Sequence, residues 1–164
     1  MKKILISAGA LAALAISTPA LASNTAQSSA TVNIVSPLSL VNNAGLNFGT
    51  VIGPFNGEVV EVSAAGGRTC PATLTCSGNT AVSAATFTAT GTASQNLAVT
   101  ADATATLSSG LNNLTVDLST DLPTGVATDS TGKANFGVGG SLTIPANTPD
   151  GSYTGTFNVT AQYQ

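Results

Sequence analysis

Gly151-Ser152-Tyr153-Thr154-Gly155-Thr156-Phe157-Asn158-Val159-Thr160-Ala161-Gln162-Tyr163-Gln164 alternates without a slip. Tyr153, Gly155, Phe157, Val159, Ala161 and Tyr163 fall on one side. Thr154, Thr156, Asn158, Thr160, Gln162 and Gln164 fall on the other. Successive side chains of a strand point to opposite faces, so the stretch reads as one amphipathic strand from Gly151 to the end. Its apolar face has to be covered by something, and the remaining sequence is searched for the cover.

Working back from it, residues 145–151 are a Pro/Asn/Gly turn cluster. Residues 136–144 are apolar but interrupted by Gly137, Gly139 and Gly140, which predicts a bulge or a close backbone approach. Residues 122–134 read as a surface loop. Residues 113–120, 103–107, 96–101 and 84–92 read as strands, with Leu114, Val116, Leu118, Leu97, Val99 and Phe87 among their apolar members. Residues 64–79 are a Gly- and Cys-containing loop or hairpin, and residues 58–63 an exposed strand. Residues 46–52 and 38–41 are shorter strands separated by an Asn42-Asn43-Ala44-Gly45 turn. No helical period occurs after the first twenty or so residues. Many short strands divided by Gly, Pro and Asn turns predict an all-β sandwich in one domain.

The other end supplies an address. Met1-Lys2-Lys3 is a basic start, residues 4–16 are apolar, and Ala20-Leu21-Ala22 is a small-residue cleavage site. Residues 1–22 therefore read as a secretory signal peptide cut between Ala22 and Ser23. Residues 23–36 read as an N-terminal extension and residues 37–164 as the folded domain. The apolar run is short for a membrane span, so none is expected once the signal is removed.

Of four Lys and Arg, two lie in the signal. Arg68 and Lys133 alone then face seven carboxylates, which argues against phosphate-rich partners and nucleic acid. Cys70 and Cys76, close together in an exported chain, predict a disulfide that staples a short loop.

Catalytic chemistry has little to stand on. The chain has no His, which removes the commonest general base and metal ligand. Ser130-Thr131-Gly132-Lys133 spaces a serine and a lysine without the helix and partner motifs such a pair needs. Asp117 with Asp121, or Asp129 with Asp150, match no calcium-loop spacing and read as solvated carboxylates. No enzyme, cofactor or metal is expected.

Gly151 is the fourteenth residue from the end and Tyr163 the penultimate one. A glycine at that offset, an alternating strand and a penultimate aromatic resemble the terminal signature of subunits assembled by the bacterial chaperone–usher pathway. Leu46-Asn47-Phe48-Gly49-Thr50, Phe87-Thr88-Ala89-Thr90-Gly91, Gly139-Gly140-Ser141-Leu142-Thr143-Ile144 and Gly151-Ser152-Tyr153-Thr154-Gly155-Thr156-Phe157 resemble the DUF4402 family. That family is similar to the spore coat protein U group and to archaic chaperone–usher pilins. In those pilins a disulfide usually ties the first strand to the sheet, whereas Cys70 and Cys76 lie together.

What the resemblance implies is an incomplete immunoglobulin-like β-sandwich, completed by a donor strand from another copy. Residues 25–35 would be the donor, with Ala26, Ser28, Ala30, Val32 and Ile34 facing in. Gly151, Tyr153, Phe157, Val159, Ala161 and Tyr163 would form the strand that edges the acceptor groove and meets a chaperone. The implied partners are copies of this chain joined head-to-tail, a periplasmic chaperone and an outer-membrane usher. The implied route is through the inner membrane and periplasm to a surface fibre or coat. Two alternatives stand beside it. Residues 24–34 could be the first strand of a closed monomer, and the chain could be a secreted surface- or carbohydrate-binding module.

Overall fold

The computed structural model describes residues 24–78, 81–119 and 125–164. Residues 34–164 form one compact unit. Twelve strands are assigned among the described residues: β1 (Ser39–Ala44), β2 (Thr50–Ile52), β3 (Glu58–Val62), β4 (Arg68–Thr69), β5 (Thr75–Ser77), β6 (Ala85–Thr90), β7 (Asn96–Ala101), β8 (Thr104–Ser109), β9 (Asn112–Ser119), β10 (Val126–Ala127), β11 (Lys133–Ile144) and β12 (Val159–Tyr163). All pairings are antiparallel. The protein is a β-sandwich.

The spine is β11. Residues 133–138 pair with β6, residues 139–142 with β9, and residues 140–144 with β3. The larger sheet thus runs β1-β6-β11-β3-β4, with β9 and then β8 attached to the far half of β11. A second sheet runs β10-β7-β12, and β2 pairs with β5 alone. The first half of β11 alternates cleanly. Ala134, Phe136 and Val138 are buried while Lys133 and Asn135 are exposed. Phe136 sits directly across from Phe87 of β6, and the two rings stack with centroids 5.6 Å apart.

The glycines expected to break this strand do not break it. Strand β11 runs through Gly137, Gly139 and Gly140 without interruption. A Cβ at Gly139 would overlap the Val62 carbonyl oxygen, so the glycine lets β3 lie close. Of the two predicted consequences, close approach is the one observed.

Several boundaries shift for physical reasons. The Asn42-Asn43-Ala44 turn is instead the end of β1, with a register shift between Asn42 and Ala44. Asn42 Nδ2 donates to the Ala44 carbonyl, which compensates for the disturbed ladder. Residues 46–49 leave the strand expected at 46–52, because Asn47 exchanges both backbone bonds with Ser83 instead. The strand at 58–63 is not an exposed one: β3 lies between β11 and β4, and Val60 and Val62 are 0% exposed. Only Val59 and Glu61 face out. The loop expected at 122–134 contains the short strand β10 and the buried Thr128. Thr128 Oγ1 donates to the Thr92 carbonyl and accepts from the Gln95 N–H, so its burial leaves nothing unpaired.

The core joins both sheets through Val60, Val62, Phe87, Leu97, Val116, Val138 and Leu142. Cys70 and Cys76 are disulfide-bonded, as the sequence predicts. Cys76 lies in β5 opposite Val51 of β2, so the staple fixes the strand that carries β2.

Candidate functional site

The closing stretch is less regular than its alternation suggests. Only Val159–Tyr163 is a strand; before it the backbone makes one bridge, between Thr154 and Ser108 of β8. That bridge is complete, with the Ser108 N–H on Thr154 O at 2.8 Å and the Thr154 N–H on Ser108 O at 3.1 Å. A Cβ at Gly155 would overlap the Thr106 carbonyl oxygen, so this glycine allows the segment to press on β8. The chain then leaves β8 for the other sheet. At the crossing, Asp102 accepts from the Asn158 N–H at 2.7 Å, and the Asp102 N–H donates to Asn158 O. A segment that changes sheets cannot pair with one neighbour throughout, which is why the predicted single strand becomes a bridge and a shorter strand.

The predicted faces are nonetheless kept. Tyr153, Phe157, Val159, Ala161 and Tyr163 are half-buried, and their polar neighbours are exposed. Gly155 is exposed, and so is Gly151, whose backbone is close to extended at φ 158°.

Strand β12 has one ladder partner among the described residues, β7. The register fixes which groups are used. Asn158 bonds to Asp102, and the Gln164 N–H donates to Asn96 O. An antiparallel ladder alternates bonded and non-bonded pairs, so the even-numbered residues face β7. The N–H and C=O groups of Val159, Ala161 and Tyr163 therefore point to the open edge. Those same residues turn their side chains inward.

Beside the preceding segment lies a cleft of about 1050 Å³. One wall is residues 148–157, including Tyr153 and Phe157. The opposite wall includes Asn42, Leu46, Phe48, Val51, Ile52 and Phe55. Its floor is apolar core: Phe87, Leu107, Leu114, Val116, Leu142 and Ile144. No carboxylate or lysine lies on that floor.

Tyr163 reaches across to the other sheet. Its hydroxyl accepts from the Thr92 N–H at 2.7 Å and donates to the Ser36 carbonyl at 2.9 Å. The Ser36 N–H in turn donates to Thr92 Oγ1 at 2.7 Å. Tyr153 donates its hydroxyl to Pro149 O. Both tyrosines are thus half-buried with their hydroxyls engaged, and neither forms a free aromatic platform.

Ala26, Ser28, Ala30, Val32 and Ile34 are exposed, and residues 24–38 form no strand. Val32 and Ile34 are 82% and 84% exposed. Ala22 and Ser23 lie outside the described residues, as does Asp121. Ser130 and Lys133 bracket a tight turn organised by Asp129. Its Oδ1 accepts from the Thr131 hydroxyl, the Thr131 N–H and the Lys133 N–H. The Thr131 hydroxyl and the two backbone N–H groups hold the Asp129 carboxyl below its ordinary range.

Sequence reasoning missed Ser36, Thr92 and Asp102, whose roles depend on which strands the fold brings together. It also missed the wall formed by Leu46, Val51 and Phe55. Short apolar runs with no neighbouring face could have signalled it.

These features define an all-β sandwich in which, among the described residues, the outer edge of β12 is unladdered and the segment before it walls an apolar cleft. Residues 38–163 match DUF4402, a domain of unknown function, and the chain belongs to that family. The match begins after Pro37, so the alternating residues 24–34 lie outside it. Searches of curated proteins and of solved structures found no match.

Proposed function

We propose that the chain is a non-enzymatic structural subunit of a bacterial surface fibre or coat, in which the cleft takes the N-terminal extension of a neighbouring copy. The carrying observation is the pairing of an apolar cleft and open strand edge with an exposed, alternating segment of the same chain. An added strand would bond to the outward N–H and C=O groups of Val159, Ala161 and Tyr163, and its continuation past Phe157 and Tyr153 would put alternate side chains in the cleft. Fully covering side chains the size of Val32 and Ile34 contributes about 1.5–3 kcal/mol each. Donor and acceptor are different parts of the subunit, so the contact is head-to-tail and propagates as an open filament.

The resemblance to the spore coat protein U group and to archaic chaperone–usher pilins supports this reading. It also supplies the export route, from signal peptide through periplasm to surface, with an usher at the outer membrane. An open strand edge and an apolar cleft are aggregation hazards before assembly, so a periplasmic chaperone is the fitting temporary cover. Deleting residues 23–34 tests the proposal. The truncated chain is expected to fold with a chaperone and to lose SDS-resistant oligomers; oligomers that persist undiminished contradict it.

A further inference from the structure

Asn56-Gly57 is the one Asn-Gly pair in the chain. The fold sets it in the bend that leads into β3, with both residues exposed. Such a pair is chemically labile, because a glycine nitrogen can approach the asparagine Cγ without a side chain of its own in the way. The structure adds why a glycine stands there and what holds the pair.

Gly57 has φ 95°, a conformation that residues with a Cβ rarely adopt. A Cβ there would have open space around it, so backbone conformation and not crowding calls for glycine. The side-chain amides of Asn42, Asn43 and Asn158 each donate to a partner. The Asn56 amide has no partner among the described residues. Two contacts hold the bend: the Asn56 N–H donates to Glu58 Oε2, and the Gly57 N–H donates to the Ile144 carbonyl at 3.1 Å. The second engages the nitrogen that has to attack. It lies just past the last pair of the β3–β11 ladder, Glu58 with Ile144, where local opening costs least.

We propose that Asn56 is a self-modification site, converted through a cyclic imide to aspartate and isoaspartate, and that the conversion loosens the Phe55 wall of the cleft. The Gly57 nitrogen bonds to Asn56 Cγ as the Cγ–Nδ2 bond breaks. Nδ2 leaves as ammonia, carrying the proton that the glycine nitrogen loses. Solvent water then opens the imide. Cleavage between the nitrogen and Cγ restores the original main chain with an aspartate side chain. Cleavage at the α-carbonyl routes the main chain through Cγ and leaves isoaspartate. Water is the one co-reactant, and nothing is oxidised or reduced.

Either product sets a second carboxylate beside Glu58, where like charges oppose each other. Isoaspartate also lengthens the main chain by one methylene between Phe55 and Gly57. Phe55 and Ile144 both line the cleft, so Phe55 and the Gly57–Ile144 bond cannot both keep their places. Any consequence for fibre assembly rests on the function proposed above; the modification itself does not.

The test incubates the unassembled full chain in mildly alkaline buffer, beside Asn56→Gln, whose imide would need a larger and slower-forming ring. Anion exchange and peptide mapping follow both. A growing acidic species is expected in the wild type, with isoaspartate in excess over aspartate at position 56 before any other asparagine converts. Asn56→Gln is expected to lose that species. The chain unfolded in urea is expected to convert faster, because the bond to Ile144 is gone; equal rates would overturn the assigned restraint. In the purified acidic species the amides of residues 55–58 are expected to exchange faster than in the unmodified chain. Asn56 that stays intact in the folded chain while it converts in urea overturns the proposal. So does aspartate without isoaspartate, which would mean direct hydrolysis. Unchanged exchange in the acidic species overturns the effect on the cleft wall. All readouts are taken on unassembled chain. Oligomers that persist after deletion of residues 23–34 therefore sink the subunit reading alone, and a chain that assembles but never converts sinks this proposal alone.

Discussion

The Tyr163 hydroxyl donates to the Ser36 carbonyl at 2.9 Å, joining residues 127 apart in sequence. It makes the penultimate residue of the chain a tie between the two sheets and the root of the N-terminal extension. An aromatic with no hydroxyl could fill the same space but would leave the Thr92 N–H without its acceptor.

Tyr163→Phe is therefore expected to cost stability. A part-buried donor stripped of its partner costs about 1–3 kcal/mol. Urea unfolding at low protein concentration should show a lower midpoint with an unchanged slope. An unaltered midpoint would mean that water replaces the hydroxyl at no cost.

The disulfide holds strand β5, and β5 is the only ladder partner of β2 among the described residues. Residues 50–52 of β2 line the cleft. Cys70→Ser/Cys76→Ser is expected to lose about 2 kcal/mol, the low end for a cross-link, because the closed loop is short. Calorimetry measures the loss. Exchange of the Val51 and Ile52 amides should accelerate more than that of β6 or β11.

Gly155 and Gly151 make a contrast that the sequence does not rank. Both belong to the closing stretch, and Gly151 has the more conspicuous position. In the structure Gly155 lies against the Thr106 carbonyl. Gly151 meets a movable side-chain atom, Ser109 Oγ, and has a positive φ of its own. Gly155→Ala is expected to cost about 1–3 kcal/mol through forced separation from β8. Thermal melts measure the loss, and an unchanged midpoint would contradict the assigned close approach.

Acid should weaken the β10–β11 turn. Donation from Thr131 and Lys133 favours the ionised form of Asp129, so its folded pKa lies below the ordinary value of 3.8. A depressed carboxyl contributes stability that is complete above the unfolded pKa and is lost as pH falls through the folded one. Stability is thus expected to decline below about pH 4, and Asp129→Asn should flatten that limb. Urea midpoints collected across the acid range measure both chains; parallel curves would contradict the assignment.

Alternation made much of this fold legible. Residues 96–101 were bounded from sequence as the structure has β7, and β6, β8 and β9 differ by one or two residues at each end. Period two reports a face, however, not a neighbour. It could not show that β3 is interior, because Glu58 and Glu61 make a short strand look solvated while Val60 and Val62 are fully buried. Nor could it show that residues 151–164 change sheets, since the side-chain alternation continues through the crossing at Asn158. The cleft was only half legible. Tyr153 and Phe157 belong to the amphipathic stretch, but the facing wall around Leu46 and Phe55 is irregular backbone with no period to read. Ser36 and Thr92 are ordinary polar residues in sequence, and only the folded positions of Tyr163 and Gly91-Thr92 bring them together.

The central claim is that the cleft and the edge of β12 accept residues 24–34 of another copy. The most direct measurement adds a synthetic peptide of residues 24–36 to the chain lacking residues 23–34 and follows thermal unfolding against peptide concentration. Saturable binding that raises the melting temperature is predicted, lost when the peptide carries Val32→Asp and Ile34→Asp. A peptide without effect, or one whose aspartate version stabilises equally, would contradict it.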